Sequence, residues 1–215
     1  MRIMPACILA ILLASTASAR EFGADPHLSS WRFVAGGEGP YFLAVRPDGL
    51  GAAFDAAVDA DGHLADATIE VTVRDGLGVP VPGYPASQIW IAPLSGPIPM
   101  CSWNYPARGW HPDADTDASG VARFSLSPRC GGWGSGDMAV HLLEGTVSGG
   151  VVPMRWASAD LSGDLEINLS DTGMFALDLV SGYAFRADLD FDGFVNLSDA
   201  GRLVRLLGRS CYTGP

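Results

Sequence analysis

The chain contains no lysine. All 13 of its basic residues are arginine, set against 24 acids, for a formal net charge of −11 over 215 residues. A nucleic-acid surface needs clustered cations, so this balance excludes that class of partner. No apolar stretch beyond the N-terminal segment is long enough to span a bilayer. Gly-x-Ser-x-Gly, His-Glu-x-x-His and phosphate-loop motifs are all missing, and His27, His63 and His141 have no nucleophile beside them, which points away from an enzyme. Cysteine is scarce, with four residues. Without a Cys-x-x-Cys or His-x-x-x-His spacing, a zinc site on Cys101, His111 and Cys130 has no support. Glycine (27) and proline (15) are abundant, and hydrophobic residues make up 48% of the chain. Such a chain can bury a core and favours turn-rich β structure over long helices.

The N-terminus reads as a secretory signal. Arg2 supplies the positive end, Ile8 to Leu13 the short apolar run, and Ala17-Ser18-Ala19 a small-residue cleavage site. Residues 1–19 are therefore expected to be a leader, and the protein to be secreted, extracellular or associated with the cell surface. Cleavage would remove Cys7 and leave Cys101, Cys130 and Cys211, an odd number. Cys101 and Cys130 fall in the same β-like region, and in an oxidising compartment they are the expected disulfide.

Residues 20–156 read as short strands separated by turns. In Ala67 to Arg74 the apolar Ile69, Val71 and Val73 alternate with polar residues, the period of a half-buried strand. Trp31 to Ala35, Tyr41 to Val45, Gln88 to Ala92, the alternation Ala122, Phe124, Leu126, Met138 to Leu143, and Gly150 to Trp156 supply further candidates. About seven strands at such spacing suggest a β-sandwich. The stretches TIEVTVRDGLGVPVPG (Thr68 to Gly83) and TDASGVARFSL (Thr116 to Leu126) resemble bacterial immunoglobulin-like domains of the invasin and intimin type, which implies an Ig-like fold and no particular chemistry. Asp113-x-Asp115-x-Asp117 and Asp59-x-Asp61-Gly62 read as turns.

Residues 157–215 carry an internal repeat. Asp160 to Asp171 (DLSGDLEINLSD) recurs as Asp188 to Asp199 (DLDFDGFVNLSD), and each copy is followed by a helix-like apolar pattern. In the first, Phe175, Ala176 and Leu179 share a helical face; in the second, Leu203, Val204 and Leu207 do. Twelve-residue loops with oxygen-bearing residues at alternating positions suit calcium. The second loop offers Asp188, Asp190, Asp192, the Phe194 carbonyl, Asn196 and Asp199, with Gly193 at the sharp sixth position and apolar Val195 at the eighth. The first offers Asp160, Ser162, Asp164, the Glu166 carbonyl, Asn168 and Asp171, with Ile167 at the eighth position. Leu165 stands where glycine is expected, so the first loop is expected to bind more weakly. The segment holds nine acids and four arginines, net −5, which two structural calcium ions would bring to −1.

A complete EF-hand needs a helix before each loop. Val151 to Trp156 reads as strand and Gly182 to Ala187 is too short, so the unit is loop-then-helix, twice. With Asp rather than Glu closing each loop, the segment resembles a type I dockerin, the calcium-dependent module that docks onto cohesin domains. The resemblance implies a small helical module after the β domain, a cohesin-like partner, and docking through Leu169, Ser170, Leu197 and Ser198. The chain is thus expected to be a non-catalytic attachment protein. The alternative is a small carbohydrate-binding or carbohydrate-active protein, tethered through the same module. Its polysaccharide would stack on Trp31, Trp90, Trp103, Trp110 or Trp133, with Trp103 and Trp110 expected to be the most exposed.

Overall fold

The alternating run around Ile69 becomes the middle strand of a sheet. The computed structural model of the chain describes residues 23–94, 98–101, 109–143 and 145–212; the expected leader and Trp103 lie outside them. Among these residues there are eleven strands and two α-helices, so the molecule is mainly β with a small helical part. The strands are β1 (Ser30–Phe33), β2 (Tyr41–Val45), β3 (Ala57–Val58), β4 (Leu64–Ala65), β5 (Ile69–Thr72), β6 (Ile89–Pro93), β7 (Val121–Phe124), β8 (Trp133–Gly134), β9 (Met138–Leu142), β10 (Gly145–Thr146) and β11 (Met154–Ser158). They form three sheets, in the orders β1-β5-β7, β10-β9-β6 and β4-β3-β2-β11-β8. The β2–β11 pair is parallel; the other pairs of named strands are antiparallel.

All three sheets contribute to one core. Leu43, Ile69, Val71, Ile89, Ile91, Phe124, Val140, Leu142, Met154 and Trp156 are all buried there. The period-2 alternation explains which residues enter it. Glu70 is the exception, since it is only 7% exposed. The register places it between Arg32 of β1 and Arg123 of β7, and each guanidinium takes one of its carboxylate oxygens. The Arg123 hydrogen bond first, then Arg32, holds the Glu70 carboxyl below its ordinary value against the opposing cost of burial. A depressed folded value gives stability that is present above the unfolded pKa and lost as pH falls through the folded one. The urea midpoint of the wild type should therefore fall more between pH 6 and pH 3 than that of Glu70→Gln. The difference should be small, because both guanidinium groups face solvent.

A second, smaller core gathers Ala159, Leu161, Ile167, Phe175, Ala187, Leu189 and Leu203. The loops and the segments leading into them supply most of its buried residues, and two helices, α1 (Leu169–Ser181) and α2 (Leu197–Leu206), close over it. Their buried stripe is narrower than the apolar pattern suggests. Phe175 and Leu203 are inside, whereas Leu179, Val204 and Leu207 are exposed and α1 instead buries Asp178. The bidentate grip of Arg186 on Asp178, at 2.7 and 2.8 Å, makes that burial tolerable. As expected, no α-helix runs directly into either loop: β11 leads into the first and the short turn Phe185–Ala187 into the second.

The two cores are joined by specific contacts. Phe42 of β2 meets Phe185 and Phe191 with ring centroids 6.1 and 5.5 Å apart. The chain end closes on the first loop through Ile167 N–H to the Arg209 carbonyl and Cys211 N–H to the Leu165 carbonyl. A disulfide links Cys101 to Cys211, with the Cα atoms 5.6 Å apart. This corrects the expected Cys101–Cys130 pair. Met100 is the residue paired with Cys130, so Cys101, one position along, turns its side chain to the opposite face of the pleat. Cys130 is instead a buried free thiol, pushed up to about 12 chiefly by desolvation.

Candidate metal centre

Each repeat folds into a tight loop closed by the helix that follows it. Asn168 and Asn196 are the N-caps, accepting from the N–H of Ser170 and Ser198. Asp171 and Asp199 complete reciprocal capping boxes from the third helical position. Both oxygens of Asp171 are also drawn inward: Oδ1 accepts from Ser162 N–H and Oδ2 from Asn168 N–H, at 2.9 and 2.8 Å. Asp199 does the same for Leu189 and Asn196 at 2.8 and 2.9 Å. The Asn-Leu-Ser-Asp that ends each repeat is thus a helix start and a loop closure at once.

The carboxylates converge inside these loops. One ligand oxygen from each of Asp160, Asp164 and Asp171 lies within 4.8 Å of the others, and Asp188, Asp190 and Asp192 form a second such group. Asp160, Asp171, Asp188 and Asp199 are buried. Burial pushes the Asp160 carboxyl up to about 6, with the charges of Asp171 and Asp164 adding to the rise. Burial also raises Asp188 and Asp199. The Oδ1 of Asp190 is buried with no hydrogen-bond partner, which is costly for a carboxylate oxygen left to itself. Crowded, desolvated acids and an orphaned oxygen fit a hard cation held by an all-oxygen donor set.

The other expected ligands are placed less directly. Ser162 donates to Asp160 Oδ1 at 3.2 Å. The Nδ2 of Asn168 faces Asp164 at 3.2 Å, since its oxygen is engaged by the helix. Asn196 stands likewise to Asp192. The N–H groups of Glu166 and Phe194 each bond the acid two residues earlier, Asp164 and Asp192, and shape the seventh position. Asp199 stands outside the second three-acid group, at its margin, holding the N–H groups of Leu189 and Asp190.

Both loops need left-handed backbone at positions four and six. The first meets this with Gly163 (φ 74°) and Leu165 (φ 71°), the second with Phe191 (φ 59°) and Gly193 (φ 84°). The turn penalty expected of the first loop alone is therefore shared, because each loop carries one bulky residue where glycine is favoured. Phe191 recovers something for it by packing on Phe42. Leu165→Gly should relieve strain and raise stability by about 1 kcal/mol, less the added chain entropy. Phe191→Gly should lower it, because the aromatic contacts are lost. Urea unfolding of both variants measures the contrast.

Several supporting residues have no signature in the sequence. An alanine at Gly131 would put its Cβ 1.8 Å from Asp160 Oδ2. Gly131→Ala should therefore displace that carboxylate from the first three-acid group while leaving the β core intact. Gly163 lies against Pro99. Ser198 Oγ and Arg202 both reach Asp190 Oδ2. Asp59, Asp61 and His63 form a further group within 4.8 Å, but the first of these spends an oxygen on the N–H groups of Asp61 and His63, the expected turn. Asp113, Asp115 and Asp117 likewise serve backbone N–H groups at Ser125, Ala86 and Ser119.

No family model, no curated protein and no solved structure matches the chain. No helix among the described residues is long and apolar enough to cross a membrane.

The expected docking residues share one character. Leu169 and Leu197 are each 81% exposed, and Ser170 and Ser198 are exposed beside them. Of the tryptophans, Trp110, expected to be among the most exposed, is not. Trp110 is buried, Trp90 is mostly buried and stacked on His141, Trp31 is partly covered, and Trp133 is exposed.

Proposed function

We propose that this is a secreted, non-catalytic attachment protein whose C-terminal segment binds two structural calcium ions and presents a dockerin-like surface to a cohesin-like partner. The observation that carries the reading is a coincidence repeated at a 28-residue offset. A group of three aspartates, partly buried, is closed directly by a helix whose first two residues, Leu and Ser, are exposed. Metal on the acids would stiffen the loop; the loop sets the helix start; the helix start displays the Leu-Ser pair. An isolated leucine on a surface means little, but the same exposed pair at the same place beside two acidic loops suits recognition.

The docking arm is tested by replacing Leu169 and Leu197, the two exposed leucines of that surface, with glutamine in the full chain. Calcium affinity should stay within about twofold, because neither is a ligand and neither change adds charge beside the acids. Binding to an immobilised type I cohesin should weaken by about tenfold or more, since apolar contact is lost and an amide is buried in its place. Binding that survives chelation, or that ignores the substitutions, would count against the reading.

Protons compete for the same acids. With Asp160 raised to about 6, its carboxyl is largely protonated below that pH and unavailable to a cation. Calcium affinity at the first loop should rise as pH goes from 5 to 7 and level off above. In the metal-free protein the sign is opposite for stability. A folded value above the unfolded one contributes stability below about pH 4 that is lost as pH rises through 6. Calorimetric titrations at pH 5, 6 and 7 measure the first effect.

A second reading, polysaccharide binding by the β part, rests on Trp31. It lines an open cleft of ≈ 350 Å³ together with Arg32 and Glu38. Trp31→Ala should abolish binding to a glycan array if the cleft is used in this way.

A further inference from the structure

Where the ends of β2 and β11 meet α2, the structure forms a cavity of ≈ 440 Å³. Its walls are apolar, with Val45, Leu50, Ala157, Leu189 and Leu206 among them. The charged residues that line it are Arg46, Arg202 and Arg205, with no acid in the lining. On a chain of net charge −11, three arginines around one apolar hollow run against the prevailing sign.

The arginines are incompletely used. Two nitrogens of Arg46 are engaged, by the Leu50 carbonyl and Asp48, but its Nε is buried without a partner. Arg202 reaches Asp190 at only 3.5 Å. Arg205 forms no ion pair among the described residues. A buried donor without an acceptor is costly, and guanidinium groups bind carboxylates in particular. A bare inorganic anion would satisfy the donors and leave the apolar walls unfilled. A neutral hydrocarbon would do the reverse. The cavity's size lies within the range of small-molecule pockets, which combine apolar walls with a few convergent polar groups.

We propose that this cavity binds a small hydrophobic monocarboxylate, a medium-chain alkyl or aryl acid. The apolar body fills the space against Leu189, Leu206 and Ala157, and the carboxylate faces Arg46, Arg202 and Arg205. The site does not depend on a docked partner, nor on which cation the loops hold.

The experiment is an amide-resolved NMR titration of the full chain in calcium buffer, with octanoate and, separately, octanol. Octanoate should bind with a dissociation constant on the order of 0.1 mM, shifting signals from residues 44–52, 157–159 and 202–206. Octanol should bind about tenfold more weakly, and added salt should weaken only octanoate. Arg202→Gln combined with Arg205→Gln, both exposed on α2 and checked for folding by circular dichroism, should cost octanoate about tenfold and leave octanol unchanged. Absence of shifts at millimolar octanoate would overturn the proposal. So would equal binding of the two probes, or octanoate binding indifferent to the double substitution, since either describes a greasy hollow without an anion site.

Discussion

Removing divalent cation from the full chain is expected to lower its thermal midpoint by more than about 10 °C and to reduce its helical circular dichroism in the same step. Each calcium ion present at a hundredfold excess over its dissociation constant stabilises the folded state by about 2.7 kcal/mol. Two such ions supply about 5 kcal/mol to a segment whose own core has few large side chains. The loss should reach the helices because Asp171 and Asp199 each close a loop with one carboxylate oxygen and cap α1 or α2 with the other. Freed of metal, Asp160 and Asp188 are buried acids pushed toward protonation. Asp190→Asn tests the second loop specifically: it removes a charge from the acid whose Oδ1 lacks a partner, and should weaken one of two calorimetric binding events by about tenfold or more. Magnesium, which prefers a smaller and more rigid shell, should restore little of the midpoint. A midpoint and a spectrum that ignore chelator would sink both the calcium assignment and the docking surface built on it.

Replacing Cys101 and Cys211 together by serine should cost about 4–5 kcal/mol, the value for closing a loop of about a hundred residues in the chain-entropy picture. The separation here is 110 residues. The loss should be larger than that from Cys130→Ser, which only places a hydroxyl in the core, at about 1–3 kcal/mol. Urea unfolding of the three proteins in calcium buffer ranks the effects. Peptide mapping without reduction should recover Cys101 and Cys211 as one linked species. Recovery of a Cys101–Cys130 peptide instead would contradict the pairing and would require Cys130 to leave the core.

The strands were legible because alternation is a local signal. Ile69 and Val71, Ile89 and Ile91, and Met138, Val140 and Leu142 all turn inward as their spacing demands. The paired loops were legible for a similar reason: a twelve-residue loop brings its acids together without help from the rest of the chain. Long-range features left no such trace. Nothing in the spacing of the cysteines tells that Cys101 points away from Cys130, since that depends on which residue of the neighbouring segment pairs with Met100. The helices were read with a wider apolar face than they bury, because Leu179 and Val204 follow the helical period yet find no neighbour to cover them. Phe191 in a left-handed turn, Gly131 under Asp160 and the arginine-lined cavity all arise where the two cores meet. Periodicity and motif spacing describe single segments and do not reach such a seam.

The covalent link from Cys101 to Cys211 changes what a cut or a pull can do to this molecule. A protease that severs the backbone once anywhere between those residues leaves both pieces joined, so the acidic loops and the sheets are not separated by a single nick. Tension applied between β1 and the far end of α2 can likewise travel across the sulfur bridge instead of along the intervening chain. The chain that can extend before the bond bears load is then the segment from β1 to Cys101 together with the short stretch from Leu206 to Cys211, and not the residues between Cys101 and Leu206. A pull on the helices would thus reach the β core through the bridge, with the acidic loops inside a closed ring.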